Sequence, residues 1–491
     1  MSLEGAIAAN RFGLGARPGE IARASDNPKA WLMGQMNSPA PQPEPQDGEP
    51  FSNAGKLVGE EDAYKIERFS KKGNKIAHLK KNGKGGIQKL ATNKPSPDTA
   101  MAADHMSDAD MNGGGGHGAD NVRKREYMNE MTARFALGFT TDRPFAERLV
   151  RFWSNHFTIS AKRKKVSLFA GDFEREAIRP NVNGNFEDML FAVVLHPAMQ
   201  IYLDNWHSLG PNSDAGKKRG KGLNENLGRE LMELYTLGVD GGYTQADVIA
   251  MAKLLTGFGL YDGHANGFGF YPDRHEPGPI TLRGKTYPAG WNGSVAAIKD
   301  LARDPATARN VSRKLAAHFI SDNPPKESVA RLEKTFKDTR GDLHALTETI
   351  VNDPAAWGTE QKKMRTPIEF VTAAMRLSGW PQSRDLDHRR RHLRTLLAEV
   401  RVMGEVPFGA PSPKGWPDDM DSWNGADAML ARIQWAKNFG SELQGPINAG
   451  AAAEASLGPL LRPATKSALA GASSQGEAFA LLLASPEFQR R

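Results

Sequence analysis

Residues 224–259 read NENLGRELMELYTLGVDGGYTQADVIAMAKLLTGFG, and they place carboxylates, an arginine and two asparagines on one helix that also carries a full apolar arc. The helix is predicted to open after the flexible GKKRGKG run and to close at Gly238, since glycine readily adopts the left-handed conformation that ends helices. At about 100° per residue, Leu227, Leu231, Leu234, Tyr235 and Leu237 share one arc, and Glu230 falls within it between Leu237 and Leu234. Glu230 is therefore expected to be desolvated. Asn226 and Glu233 lie at the rim of the arc, while Glu225 and Arg229 flank it, with Arg229 and Glu233 spaced as an i,i+4 pair.

A buried carboxylate must be protonated, paired with a cation or bound to a metal. The plainest outcome is a structural salt bridge from a neighbouring helix; the functional ones are acid/base chemistry or metal binding. Beyond Gly238, VDGGYT supplies a tight turn, and Thr244 with Asp247 reads as a capping box before the stripe Val248, Met251, Ala252 and Leu255. Asp247 is thus expected to be a cap.

Working outward, the remaining chain reads as mainly α: a multi-helix globular array with long ordered loops. Apolar residues recur at spacings of three and four in segments 143–157, 185–196, 305–320, 326–337, 342–351, 366–378, 388–402, 426–439 and 475–484. A small polar residue before proline recurs as helix-opening grammar at His196-Pro197, Asp304-Pro305, Asp353-Pro354 and Ser485-Pro486. Only 266–288 suggests short strands or a hairpin.

Composition sets further bounds. The 491 residues contain no cysteine, which excludes disulfides, thiolate nucleophiles and cysteine metal sites. Any metal would be held by His, Asp, Glu, Asn or water. No window approaches a membrane span, and the N-terminus lacks a basic-then-apolar export signal, so a cytoplasmic protein is expected. Between Lys65 and Lys94 ten Lys or Arg stand against Glu67 alone, so the net charge of +7 comes entirely from this segment. That distribution argues against a nucleic-acid partner for the folded part. Flanked by PAPQPEPQDGEP and NGGGGHGAD, residues 38–121 read as a largely disordered Pro/Gly-rich and basic insertion. It separates an N-terminal helical segment of the core, 1–37, from a main helical domain, 122–491, with a candidate division near 290–305.

Three more constellations are candidates to complete a site. In ERLVRFWSNHFTIS, Leu149, Phe152, Trp153 and His156 follow i, i+3, i+4, i+7, which carries His156 into the core as a hydrogen-bonded histidine, a general base or a metal ligand. His275-Glu276 sits in the hairpin-like segment, on a loop or an ordinary polar turn. From Arg401 to Ala436, four prolines and several glycines forbid helix over the first half, yet Phe408, Trp416 and Trp423 are too apolar for a free linker. This stretch must pack as an ordered loop, either a pocket wall or a cover for a helix end.

The phrases RFGLGARP, FWSNHFTIS, the 224–259 block, RKLAAHFISDNPP, RTPIEFV and PSPKGWPDD, in that order over most of residues 5–491, resemble the uncharacterised bacterial family called domain of unknown function 1800. The resemblance implies an α-helical protein and no established activity. It also implies a candidate protein partner, since related genes often neighbour a typically exported family resembling the alkaline phosphatase and sulfatase superfamily; that leaves export open. Where the family commonly has ELHTLG, Tyr235 stands at the histidine, and the usual His-Asp is His275-Glu276 here. Both departures favour an acid/base or oxygen-rich site over a histidine-rich zinc site.

Two functions are compatible with these residues. In the first, Glu230, Glu233 and His156 act as catalytic acid/base groups of a hydrolase, Arg229, Asn226 and Trp416 bind a substrate with an anionic group, and His156, Glu230 and His275 are candidate ligands for a divalent metal. In the second, the same residues form a buried polar network in a non-enzymatic scaffold that acts with a protein partner.

Overall fold

Capping side chains followed by proline fix where many of the helices begin. Asp304 accepts the Ala306 N–H at 2.8 Å and opens Pro305–Phe319. Asp353 does the same for Ala355 at 2.9 Å before the short 3₁₀ turn Pro354–Trp357. His196 caps through its ring, Nδ1 accepting the Ala198 N–H at 3.2 Å before Pro197–Tyr202. Thr244 and Asp247 form the reciprocal capping box at the start of Gln245–Leu254.

The computed structural model describes residues 1–61, 118–220, 222–380, 385–443 and 448–491, and helices dominate it. Each stripe of period three and four is a helix, among them Pro144–His156, Phe186–Leu195, Lys326–Asp338, Leu343–Asn352, Pro367–Leu377, Leu386–Val402, Ala426–Glu442 and Gln475–Ala484. Among the described residues, strands are confined to two antiparallel pairs: β1 (Phe258–Leu260) with β2 (Phe268–Phe270), and β3 (Ile280–Leu282) with β4 (Lys285–Tyr287). The hairpin region thus begins upstream of 266, taking in the tail of the 224–259 block.

Among the described residues three helical stretches widen into π-turns, at Ala8–Phe12, Glu174–Ile178 and Leu231–Tyr235. One extra residue in a turn rotates everything after it by about 100° relative to an α-helical projection. The helix of the 224–259 block is α only over Asn226–Glu230. Leu234 and Leu237, which bracket Glu230 in projection, therefore swing away from it, and Glu230 is half-buried instead of enclosed.

Among the described residues a large hydrophobic core runs from Ile7 to Phe488, beside a small cluster of Ala6, Ala9, Ala16 and Ile21. Within 290–305 the helix Trp291–Ala302 packs on Phe186–Leu195 and contributes to this core. Residues 38–61 belong to this core too. Leu57 and Val58 are buried, Arg179 donates to the Pro41 carbonyl at 2.7 Å, and Arg123 pairs with Glu61 at 2.6 Å. The described chain resumes with the helix Gly118–Thr140. Only 62–117 of the expected insertion, with the basic run Lys65–Lys94, lies outside the described residues. No helix among the described residues is long and apolar enough to cross a membrane.

Candidate functional site

Helix Pro144–His156 projects Arg151, Ser154, Asn155 and His156 toward helix Pro305–Phe319, whose Lys314 and His318, four apart, share a face. Between them opens a cavity of about 390 Å³. Its third wall is the Pro- and Gly-rich loop, through Glu405, Phe408, Lys414, Trp416 and Asp418. This loop is ordered because the first helix clamps it. Asn155 accepts the Trp416 N–H at 2.8 Å and donates to the Trp416 carbonyl at 2.9 Å. That approach requires Gly415, at φ +84°, where a Cβ would sit 2.6 Å from Asn155. Ser160 donates to the Ala410 carbonyl and Tyr127 to that of Pro407.

The 224–259 block touches this site through its backbone. A π-turn leaves carbonyls without helical partners: the Leu234 carbonyl accepts from Lys314 Nζ at 2.8 Å, and that of Tyr235 lies 3.1 Å from His156 Nε2. Lys314 Nζ also sits 3.3 Å from His156 Nδ1. With Nε2–H donating to a carbonyl and Nδ1 accepting from an ammonium, His156 is neutral. Burial first, and the Lys314 charge second, hold its pKa well below the ordinary histidine value. Burial also lowers Lys314, to about 8.

Beneath the cavity lies a charge cluster of high density. Glu369 accepts from Arg148 at 2.5 Å and from Arg491 Nε at 3.1 Å. His318 Nδ1 meets Asp418 at 2.7 Å, and its Nε2 lies 3.5 Å from Arg148. Lys363 pairs with Asp322 at 2.5 Å and stands 3.5 Å from Asp418. Burial opposes ionisation of Glu369, but Arg148 and Arg491 overcome it and hold the carboxyl well below its usual range. Burial likewise opposes ionisation of Asp418, which its His318 contact, Lys363 and Arg491 hold at about 2. His318 falls to about 4, chiefly through burial, so its ring is neutral and Nδ1–H donates to Asp418.

Glu405 is the exception. It is 6% exposed and lines the cavity, accepting the Ile368 N–H at 2.8 Å with a second hydrogen bond from the Thr366 hydroxyl. Among the described residues it has no ion-pair partner, and burial pushes its carboxyl up to about 7. Arg313 and Lys414, both exposed, mark the solvent side of the cavity, and neither makes an ion pair among the described residues. The interior cations are engaged: Arg134 with Glu174 at 2.8 Å, and Arg151 with Glu147 at 3.6 Å.

Of the residues singled out in the sequence, His156 and Trp416 line the cavity; Glu230, Glu233, Arg229, Asn226 and His275 do not. Glu230 and Glu233 lie side by side, half-buried; burial and then the Glu233 charge raise the Glu230 pKa. Tyr243 donates its hydroxyl to Glu233. Arg229 pairs backward with Glu225 at 3.1 Å, not forward with Glu233, and also donates to Gln245. Asn226 is exposed at the helix start. His275 has both ring nitrogens on backbone: Nδ1 is 2.8 Å from the Thr256 carbonyl and Nε2 accepts the Gly290 N–H at 2.8 Å. It secures the turn after β2. The triad His156, Glu230 and His275 is therefore not assembled.

Among the described residues one group of three ionisable side chains does have ligand spacing: Asp172, Glu176 and His196, with one ligand atom from each within 4.8 Å of the others. Such a set can hold a metal ion. In the sequence His196 is marked only as a helix start, and Asp172 and Glu176 carry no motif. Their i,i+4 spacing ahead of a histidine-proline cap is a faint signal, since the histidine lies twenty residues on. Glu405 and Asp418 lie within the aromatic stretch from Arg401 to Ala436, where an acid in a segment that must pack is the available signal.

No curated protein and no solved structure matches the chain. The model of one family, described as "Protein of unknown function (DUF1800)", matches residues 7–490 and so nearly the whole fold and every wall of the cavity, and the chain belongs to that family.

Proposed function

We propose that the protein is a hydrolase that acts on a small substrate with an anionic group in the cavity between Pro144–His156 and Pro305–Phe319, with Glu405 as the acid/base group. The supporting observation is Glu405 itself: a buried carboxyl facing a cavity, without a contacting cation, raised to about 7. A group that changes protonation near neutrality can both accept and return a proton during turnover. Arg313 and Lys414, in no ion pair among the described residues, offer positive charge for the anionic group, and Lys314 retains an N–H beyond its bonds to Leu234 and His156. Trp416, pinned by Asn155, supplies an apolar wall. In this reading the catalytic carboxylate is Glu405 in place of Glu230 and Glu233, and the anion contacts are Arg313 and Lys414 in place of Arg229.

The test is a panel of ester, phosphate, sulfate and glycoside substrates with wild type and Glu405→Gln. An isosteric amide should leave the fold intact and lower kcat by about 10²–10⁴-fold, removing the limb of the pH profile near 7. Arg313→Ala with Lys414→Ala should raise KM while sparing kcat. Equal turnover and equal pH profiles for wild type and Glu405→Gln would sink the proposal.

A scaffold reading draws on a different observation: His156 and His318 have every ring nitrogen committed, as expected of groups that order a core. On that reading the protein acts with a partner resembling the alkaline phosphatase and sulfatase superfamily. It predicts that Glu405→Gln changes stability without any substrate of the panel being turned over by wild type.

A further inference from the structure

A second concentration of buried acid lies away from the cavity, where helix Ala170–Phe173 widens into the π-turn Glu174–Ile178. Asp172 is fully enclosed, His196 is 5% exposed and Glu176 is half-buried. At the centre of the group, Asp172 Oδ2 and His196 Nε2 are buried 3.3 Å apart without meeting hydrogen-bond geometry, and Glu176 contacts the Asp172 carboxyl from the half-exposed side. Leaving one such atom unbonded is unfavourable, and two aimed at the same point call for something between them. We propose that Asp172, Glu176 and His196 bind one divalent transition ion of the Zn²⁺ or Mn²⁺ class.

The donor set supports that class. One imidazole nitrogen with two carboxylates suits borderline ions better than Ca²⁺, which prefers six or more oxygens. The surroundings resemble an outer shell that orients ligands. Asp172 keeps its other oxygen on Arg175 at 3.1 Å, and Arg175 is held in turn by Glu130 at 2.9 Å. Phe173 meets the His196 ring edge to face at 5.3 Å, fixing its plane. Glu176 is the half-exposed member of the set, so water could complete the coordination from its side. The Ala54 N–H bonds Glu176 and the Ser52 carbonyl accepts from Arg175, so an ion here would tie 51–55 and the start of Pro197–Tyr202 to the π-turn.

One consequence is specific to this geometry. His196 Nδ1 accepts the Ala198 N–H, so the ring proton resides on Nε2. Ligation through Nε2 moves that proton to Nδ1, and the Ala198 amide loses its acceptor. Metal binding should therefore be visible at the cap of Pro197–Tyr202.

The experiment treats full-length protein with chelator, then titrates Zn²⁺ and, separately, Mn²⁺ by calorimetry, alongside thermal unfolding. Wild type should take up one ion per chain with a rise in Tm and a shift of the Ala198 amide resonance. Glu176→Gln and His196→Gln should each bind at least about tenfold more weakly. The Glu176 variant, at a half-buried position, decides even where the His196 variant fails to fold. Wild-type binding that stays far below one ion per chain, or Glu176→Gln binding as tightly as wild type, would overturn the proposal.

Discussion

The cluster beneath the cavity and the cluster around Asp172 are built from the same residue types, yet they are unbalanced in opposite senses. Around Glu369, cations crowd a few acids: Arg148, Arg491, Arg365 and Lys363 serve Glu369, Asp418 and Asp322, and Glu369 and Asp418 are held far down. Around Asp172, acids crowd one cation: Glu130 and Asp172 share Arg175 while Glu176 hydrogen-bonds Asp172. Burial there wins, pushing Glu130 up to about 7 and, with repulsion from Asp172, Glu176 up to about 8. Burial alone therefore does not set the state of a carboxyl. The surplus of charge around it does.

The largest effect should come from neutralising the acid that the cations surround. Glu369→Gln keeps the volume, and its carbonyl can still serve the capping box with Thr366, but it leaves Arg148 buried without a counter-charge and Arg491 with only Asp418, at 3.6 Å. Removing one partner of a buried pair costs about 3–5 kcal/mol. Urea unfolding should show a lower midpoint with an unchanged slope. A loss below about 1 kcal/mol would mean that water or neighbouring carbonyls already compensate those arginines, and the contrast between the clusters would fail.

The comparison sharpens with pH. Glu369 and Asp418 have folded-state pKa values depressed below the ordinary 4.5 and 3.8, so their stabilisation is present above those values and is lost as pH falls toward 2. Glu130 and Glu176 have raised values: between pH 4.5 and about 8 the folded chain holds protons that the unfolded chain has released. Stability from that cluster is thus fully present below 4.5 and lost as pH rises through 7 to 8. Glu176→Gln should remove part of this alkaline decline, by less than about 1 kcal/mol per pH unit because the group is half-exposed, and leave the acid limb alone. Unfolding midpoints across pH 3–9, in chelator, would check it; an unchanged alkaline slope contradicts the assignment.

Much of the fold could be read from periodicity and caps, because both are local. Asp304-Pro305 opens a helix whatever surrounds it, and the run from Arg401 to Ala436 had to pack because Trp416 and Trp423 could not be left in water. His156 was legible as inward for the same reason. What could not be read was phase and pairing. The π-turn at Leu231–Tyr235 has no compositional mark, yet it moves Glu230 off the buried arc and sends the Leu234 and Tyr235 carbonyls into the site. Arg148 and Glu369 are 221 residues apart, and nothing local in either neighbourhood pairs them. Glu405 is a site candidate for what it lacks, a cation in contact, and only the assembled structure shows a lack.

The smallest expected effect belongs to the residue that a helical projection favours as an anion binder. Arg229 is 39% exposed and its partner Glu225 34%, so water screens both and two long side chains must be held to keep one contact. Exposed i,i+4 pairs contribute about 0.3–0.5 kcal/mol. Arg229→Ala should therefore lower stability by no more than that, and the difference should shrink in about 1 M salt, where the Debye length falls to roughly 3 Å. If Arg313 and Lys414 hold the anionic group, KM for any substrate of the cavity should be unchanged in Arg229→Ala. A KM that rises as far as in the Arg313 and Lys414 double variant would return the site to the 224–259 helix face and away from the cavity.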